Sequence, residues 1–370
     1  MAGDLVRQRE ALEKTSVYSN SSLGSKRRFL DTPEIRKAMQ LIRVGMGKNI
    51  EPPQRVVDEN TLFPEFGGFR ALARLLSIHI YVSLADGQIS TAIDDLNTVL
   101  RLGYHVQSSS FISGLVGIAI DTIGMNSLAK HIPQFAVRDC DRLILVLGNW
   151  LKLPPPEIKI IATERDTIVN ILRKNKGDNQ KLHELFAVMP SDDDEPIPPS
   201  KLQKVLENLD TDTHTIVEGA IEKINKMYND SIENLKLPFW KRTQIRMVDD
   251  GSLAYEMADM MTMTPSTISD RYTQVLAQMQ LLAVHAAIRK FQWENDRLPN
   301  ALDELKRERN DGILTDPFTG EFLVYKPDGE RYELYSTGIP ERDENGSIKP
   351  DSGKAIYLPA LKRPVVPAAP

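Results

Sequence analysis

A chain of 370 residues is long enough to bury a substantial core in two or three domains. Its 51 acidic residues outnumber its 46 lysines and arginines, and the formal charge of −5 argues against a nucleic-acid partner. The single cysteine, Cys140, excludes an internal disulfide and a cage of thiolate ligands around a metal ion.

Residues 1–30 are predicted to form a flexible N-terminal arm. A short amphipathic helical pattern runs through Ala11 and gives way to SVYSNSSLGSKRR, whose Ser, Asn and Gly residues favour turns and a mobile connection. The basic triplet Lys26-Arg27-Arg28 falls in this linker, and we interpret it as a solvated spacer.

An α-helical domain is predicted over residues 31–264, beginning at the cap formed by Asp31-Thr32-Pro33-Glu34. Two helices with apolar residues spaced three and four apart meet at Asp86-Gly87, which predicts a helical hairpin. Ser108 to Ala129 is predicted to be a third, mostly buried helix whose glycines permit close helix contact. Further helices are predicted at residues 138–151, 157–174, 200–235 with a break near Asp210, and 250–263, with a proline-rich acidic loop at 190–200.

The hairpin is similar in part to a tetratricopeptide repeat. The second helix matches the pattern of that repeat at Gly87, Ala92, Leu96, Val99 and Leu100. The first helix departs from it at Ile80 and Ser83, and no second copy follows about 34 residues later. A lone helical hairpin in a bundle is therefore favoured, while a peptide-binding groove stays open.

One long helix is predicted to start at the cap Thr264-Pro265-Ser266 and to run to about Asn295. Apolar residues cover well over half of its circumference, so other elements must cover this helix on several sides. These residues are Val275, Leu276, Met279, Leu282, Ala283, Ala286, Ala287, Ile288 and Phe291.

A short antiparallel sheet is predicted after the long helix. Leu298-Pro299 turns the chain, ALDELKRE forms a short helix, and Pro327-Asp328-Gly329-Glu330 is a tight turn. Strands are expected at residues 322–325, 332–335 and 355–358. The tail, residues 361–370, is rich in proline and is predicted to be disordered.

Three ordered motifs occur in this C-terminal part: a corner at the end of the long helix, a turn that opens the sheet, and a tyrosine-rich return strand. The motif residues are Phe291, Asn295, Arg297, Leu298 and Pro299; Asp316, Pro317, Phe318, Gly320 and Tyr325; and Tyr332, Leu334, Tyr335, Ser336 and Gly338. Together they resemble the head of the major pseudopilin of bacterial type II secretion. The resemblance implies an α+β pilin-like module over residues 265–360, but the module follows a large helical region, so a filament subunit is not expected.

Most of the chain is similar to envelope proteins of planctomycete-type bacteria, in which a helical region precedes such a module. The segments LARLLSIHIYVSLADGQISTAIDDLNTVLRLG and LVGIAIDTI carry this resemblance. It implies an extracytoplasmic location in the cell envelope and no particular activity. Because no run of 18 uninterrupted apolar residues occurs, we expect a soluble chain, with membrane anchoring left open through a segment outside these residues.

The pseudopilin resemblance also implies calcium binding in the loop after the third motif, here IPERDENGSIKPDSG. Oxygen-bearing residues alternate before a glycine in this loop, and such ligands can converge on a hard cation. The twelfth position is Ser352 instead of a bidentate acid, so a polar turn is favoured and calcium stays open. The candidate ligands are Glu341, Asp343, Asn345, Gly346 and Ile348.

Other candidate chemistry has less support in the sequence. Met257, Met260 and Met261 share a helix face and could bind Cu(I), but no His or Cys lies nearby and core packing is favoured. The six histidines are scattered, and no nucleophile elbow, P-loop or dinucleotide fingerprint occurs. Glu164-Arg165-Asp166 is interpreted as an ion network on a helix. We therefore predict no catalytic, cofactor-binding or metal-binding residue.

These patterns predict a mainly α protein, in which a helical bundle with a hairpin precedes a small α+β module. The expected function is that of a non-enzymatic envelope protein with a protein partner and no nucleic acid. Two alternatives stay open: a hydrolase with a site between helices, and a soluble peptide-binding adaptor. A deep cleft lined with acids and histidines would favour the hydrolase, and several hairpins of one geometry would favour the adaptor.

Overall fold

The chain folds mainly into α-helices with a two-stranded antiparallel sheet near its C-terminal end, which confirms the predicted class. The computed structural model describes residues 1–12, 21–48, 65–107, 110–186, 200–208, 212–263, 265–308, 312–341, 349, 352–358, 361 and 364. The helices are α1 (Ala2–Leu12), α2 (Leu23–Leu30), α3 (Pro33–Met46), α4 (Glu65–Ala85), α5 (Ile89–Val106), α6 (Phe111–Ala129), α7 (Val137–Leu151), α8 (Glu157–Asn175), α9 (Asn179–Leu185), α10 (Lys201–Leu206), α11 (His214–Leu235), α12 (Leu253–Met261) and α13 (Pro265–Asn295), with 3-10 turns at Ile132–Gln134, Phe239–Lys241 and Leu302–Glu308. The strands are β1 (Val324–Asp328) and β2 (Arg331–Tyr335).

The N-terminal residues are docked helices, so the prediction of a flexible arm is wrong for residues 1–12 and 21–30. Helix α1 packs on α3 and α4, and the side chain of Val6 is fully buried there. A Cβ atom on Gly3 would lie 2.6 Å from Gly68 Cα, so the two backbones touch. Lys26, expected in a solvated linker, lies in α2 and is only 6% exposed. Residues 13–20 lie outside the described residues.

Helices α4 and α5 form the predicted hairpin, joined by a short turn at Asp86-Gly87. Gly87 has a φ of +73°, in the left-handed region that glycine adopts without strain. Helix α6 packs against both arms of this hairpin. It is long and apolar enough to cross a membrane by length and composition alone, but half of it is buried inside the protein.

Glycines bring α5 and α6 into close contact. A Cβ atom on Gly117 would lie 2.5 Å from the carbonyl oxygen of Gly103 and would overlap the side chain of Gln107. In the same interface, Gln107 Nε2 donates a 2.8 Å hydrogen bond to the buried Asp121 carboxyl. Burial raises the pKa of Asp121 well above its ordinary value, so this interface favours a protonated carboxyl.

A second core lies between α8, α11 and α12, with α9 and α10 beside them. The helical stretch predicted over residues 200–235 with a break near Asp210 forms two helices, α10 and α11, on either side of that position. Asp210 itself lies outside the described residues. The acidic loop predicted at 190–200 is outside them as well, except for Ser200. The Ser200 hydroxyl accepts a hydrogen bond from Gln203 N and caps α10.

Helix α13, the predicted long helix, is covered on several sides as expected. Helices α6 and α7 pack along it, and strand β2 and the 3-10 turn at Leu302–Glu308 cover it further. Its residues from Leu281 to Ile288 are almost fully buried. Thr264, predicted as its cap, lies outside the described residues.

The sheet is a hairpin of two strands and not three. Strand β1 extends to Asp328, opposite Arg331, so the tight turn spans residues 328–331, one residue later than predicted. Phe322 lies before β1 and forms an isolated bridge with Thr315. The third predicted strand is reduced to one bridge between Ser336 and Ile356, which corrects that prediction. Leu361, predicted in a disordered tail, packs into the core around α13.

We expect Gly117→Ala to destabilise the fold by about 1–3 kcal/mol, because the new methyl group would overlap the Gly103 carbonyl and force α5 and α6 apart. Chemical denaturation measures this change. Gly148→Ala is the matched control, since Gly148 lies within α7 with open space around it, and alanine there should stabilise the helix by about 0.5–1 kcal/mol. Equal effects of the two substitutions would contradict the close contact.

Candidate functional site

The predicted calcium loop is described only at its two ends. Lys349 N donates a 2.8 Å hydrogen bond to Glu341 O. Ser352 Oγ donates to Lys349 O and accepts from Glu341 N, both at 2.7 Å, so this hydroxyl closes the loop. The other candidate ligands, Asp343, Asn345, Gly346 and Ile348, lie outside the described residues.

The predicted methionine face is divided between core and surface. Met257 is fully buried and Met261 packs against the second core, whereas Met260 is 46% exposed. The described residues contain no group of three or more His, Cys, Asp or Glu side chains arranged to hold a metal ion. Packing therefore accounts for Met257 and Met261.

The triplet Glu164-Arg165-Asp166 on α8 forms hydrogen bonds to α6 and α11. The carboxylate of Glu164 accepts a 3.1 Å hydrogen bond from Phe111 N, at the start of α6. Burial raises the pKa of Glu164, while this hydrogen bond lowers it. Arg165 donates to the carboxylate of Asp166 and to the side chain of Asn229 on α11. These contacts agree with the ion network expected from the sequence.

The histidines likewise do not form one site. His79 Nδ1 lies 2.5 Å from a carboxylate oxygen of Asp95, across the α4–α5 hairpin. His131 stands edge-on to the ring of Tyr81. His285 is fully buried within α13. The His79–Asp95 pair was missed because its partners are sixteen positions apart and meet only through the hairpin.

Two tyrosine hydroxyls of the sheet form hydrogen bonds to α13 and to the corner that follows it. His285 Nδ1 lies 2.7 Å from the hydroxyl of Tyr332, and burial lowers the pKa of His285 to about 3, so the ring is neutral. Tyr325 Oη donates a 2.8 Å hydrogen bond to Pro299 O at the corner that follows the helix. The hairpin therefore lies against the long helix, where the sequence analysis expected it.

A single buried carboxylate ties the first turn of the sheet to the end of β2. Asp316 Oδ1 accepts hydrogen bonds from Phe318 N at 2.9 Å and from the Ser336 hydroxyl at 3.0 Å. Its Oδ2 accepts from Thr337 N at 2.7 Å. Gly320 closes the same turn with a φ of +79°. These motif residues therefore stabilise the fold.

A small groove opens between α11, α13 and the segment that follows α11. Arg242 lies at its wall and donates to Leu235 O at 3.1 Å, to Leu237 O at 2.8 Å and to the Ser269 hydroxyl at 2.7 Å. The groove holds only a few water-sized molecules, so it is not a deep cleft. It is lined by Ser231, Asn234, Leu235, Phe239, Arg242, Thr243, Gln244, Ile245, Pro265, Ser266, Ser269 and Asp270.

Glu157, at the start of α8, forms a buried ion pair with Arg242 at 3.1 Å. The carboxyl is 1% exposed, and burial raises its pKa to about 7, although the neighbouring guanidinium lowers it. Its Oε2 atom has no hydrogen-bond partner among the described residues. The carboxyl therefore changes charge near neutral pH, and sequence reasoning missed it because Arg242 is 85 positions away (242 minus 157).

An extended segment, residues 242–250, connects the groove to α12. It contains no turn, bend or bridge and lies outside every helix and strand. Ile245 and Met247 pack against the second core, while Arg246 and Val248 are exposed. No helix or strand was predicted for this segment, and its short alternation of inward and outward residues is the only signal for it.

Comparison with protein-family models, with curated protein sequences and with solved structures finds no match to this chain.

We expect Tyr332→Phe to destabilise the protein by about 1–3 kcal/mol, because it removes the hydrogen-bond partner of a buried imidazole. Thermal and chemical unfolding measure the change. Tyr335→Phe on the same strand is the control. Tyr335 is partly exposed, so removal of its hydroxyl group should change the free energy of unfolding little. Equal costs would mean that the His285 contact does not hold the hairpin.

Glu157→Gln should change the pH dependence of stability. Since the folded pKa of Glu157 is raised from 4.5 to about 7, the folded state holds the proton more tightly than the unfolded state between these values. The stability of the wild type relative to Glu157→Gln should therefore fall as pH rises from about 4.5 to 7, by up to about 3 kcal/mol. Urea denaturation of both proteins at pH 5 and pH 8 measures this difference. A difference that rises with pH would mean that Arg242 lowers this pKa more than burial raises it.

Proposed function

We propose that this chain is a non-enzymatic protein of the bacterial cell envelope that acts by binding protein partners, with a pilin-like module at its C-terminal end. The observation that carries the proposal is that the tyrosine-bearing hairpin lies on the long helix, with Tyr332 bonded to His285. This is the arrangement that the pseudopilin resemblance implies for residues 265–360.

Hydrogen bonds between the three motifs support the same proposal. Tyr325 of the second motif bonds to Pro299 of the corner motif. Asp316 of the second motif bonds to Ser336 of the third. Motif residues that are distant in sequence thus form one connected unit, as expected if they recur together because they stabilise one module.

The roles of the buried polar groups support a function through binding rather than catalysis. Asp316 holds a turn, Glu164 binds the start of α6, and His285 binds the hairpin. Glu157 is the described group that best suits a hydrolase, because its pKa is near 7. It does not line the groove, whereas its partners Arg242 and Ser269 do, so a substrate in the groove would meet those two side chains first.

Exposed apolar side chains around the second core suit a protein partner. Val248 is 75% exposed, and Leu237, Trp240, Met260 and Met263 are partly exposed in the same stretch of chain, between residues 237 and 263. Exposed apolar side chains of this kind are used in protein-binding surfaces.

Cell fractionation tests the proposal. In the organism that encodes the chain, an epitope-tagged copy at its own locus should fractionate with the envelope and should be digested by protease once the outer permeability barrier is opened. A cytoplasmic enzyme and a known envelope protein serve as markers. Recovery of the tagged chain with the cytoplasmic marker, protected from protease, would contradict the proposed location.

A further inference from the structure

The backbone groups of the extended segment are unpaired within the protein over five consecutive residues. From Gln244 to Val248, no N–H or C=O group forms a hydrogen bond within the part of the chain that the structure describes. Backbone polar groups in folded proteins are usually paired, and an extended run with unpaired groups is a template for another strand. These groups are therefore available to a partner.

The two edges of the segment are not equivalent. Thr243 N donates a 3.0 Å hydrogen bond to Asn234 Oδ1, and Asn234 Nδ2 donates a 2.7 Å bond to Thr243 O, so this side chain imitates a neighbouring strand. Because the groups of successive residues point to opposite edges, Asn234 marks the edge that faces α11. Gln244, Arg246 and Val248 then present their backbone groups at the opposite edge, which we call the open edge.

The side chains place the segment as a strand on the body of the protein. Ile245 and Met247 pack inward against the second core, so the segment is held on one face. Arg246 and Val248 point outward, two residues apart on one side, as alternate residues of a strand do. An added strand would therefore meet one basic and one β-branched side chain beside each other.

We propose that the open edge binds an extended peptide segment of a partner protein as an added antiparallel strand. The partner would carry a β-branched or aromatic residue opposite Val248 and, two residues further along, an acidic residue opposite Arg246. Backbone hydrogen bonds supply affinity in this mode of recognition, and alternate side chains supply specificity. The inference rests on the proposed function, since it names the class of partner.

Charge argues against a second copy of this chain as the occupant. Two open edges paired antiparallel over all three residues would place Arg246 opposite Arg246 of the other copy. Like charges directly opposite one another destabilise a strand pair. A peptide with an acidic residue at that position removes the repulsion.

The test uses the full chain and a displayed library of random linear heptapeptides. Selected peptides should share the apolar residue followed two positions later by an acidic one. In amide-resolved hydrogen exchange, the bound peptide should protect Gln244, Arg246 and Val248, while their amides exchange rapidly in the protein alone. The proposal would be overturned if the selected peptides protect another surface. It would also be overturned if the amides of Gln244, Arg246 and Val248 already exchange slowly in the protein without peptide.

Two variants of Val248 test the backbone, and one variant of Arg246 with a changed peptide tests the charge. Val248→Pro removes an unpaired N–H at an exposed site and should weaken peptide binding at least about tenfold, whereas Val248→Thr should bind like the wild type. Arg246→Glu should weaken binding about fivefold, and a peptide with lysine in place of its acidic residue should restore it. Equal binding by the two Val248 variants, or no rescue by the lysine peptide, would refute the assigned strand.

Three further outcomes separate this inference from its alternatives. If light scattering shows a dimer that Val248→Pro dissociates, the open edge pairs with a second copy and the peptide proposal fails. If no peptide binds although the chain fractionates with the envelope, only the strand inference is lost. If peptides bind as described but the chain is cytoplasmic, the proposed location fails and the strand site stands.

Discussion

The fold depends on covering α13 on every side. Its residues from Leu281 to Ile288 are almost fully buried, so no face along this stretch is left to water. Helices α6 and α7 cover part of the surface, and β2 and the turn after the helix cover more. The small sheet is therefore a required part of the core, because removing it would expose apolar surface on the most buried helix. This explains why a helical protein ends in a hairpin.

Polar side chains join the elements that apolar packing brings together. Asn234 holds the start of the extended segment, Asp316 joins a turn to the end of β2, and Glu164 joins α8 to the start of α6. Each satisfies backbone groups that no helix or strand satisfies, which is the usual requirement for burying the end of an element. Arg242 does the same for the last turn of α11, where it binds Leu235 O.

Local patterns in the sequence predicted the elements whose signals are local. The α4–α5 hairpin and the long helix follow from apolar spacing over one or two turns, and Gly329 marks the sheet turn. The docking of Val6 depends on α3 and α4, which lie far along the sequence, so its short helix looked like a mobile arm. The ion pair of Glu157 with Arg242 was missed for the same reason, since it has no signature in either segment. The pattern of apolar residues predicts which face is buried, but not which element covers it.

The neutral imidazole beneath the sheet makes the fold sensitive to acid. His285 has a pKa of about 3 in the folded protein and would have its ordinary pKa of 6.5 once exposed. Below pH 6.5, the exposed imidazole is therefore protonated while the buried imidazole stays neutral. Each further unit of acidification then favours the opened state by about tenfold, until the pH approaches 3. Through this one group, acid therefore favours separation of the hairpin from α13.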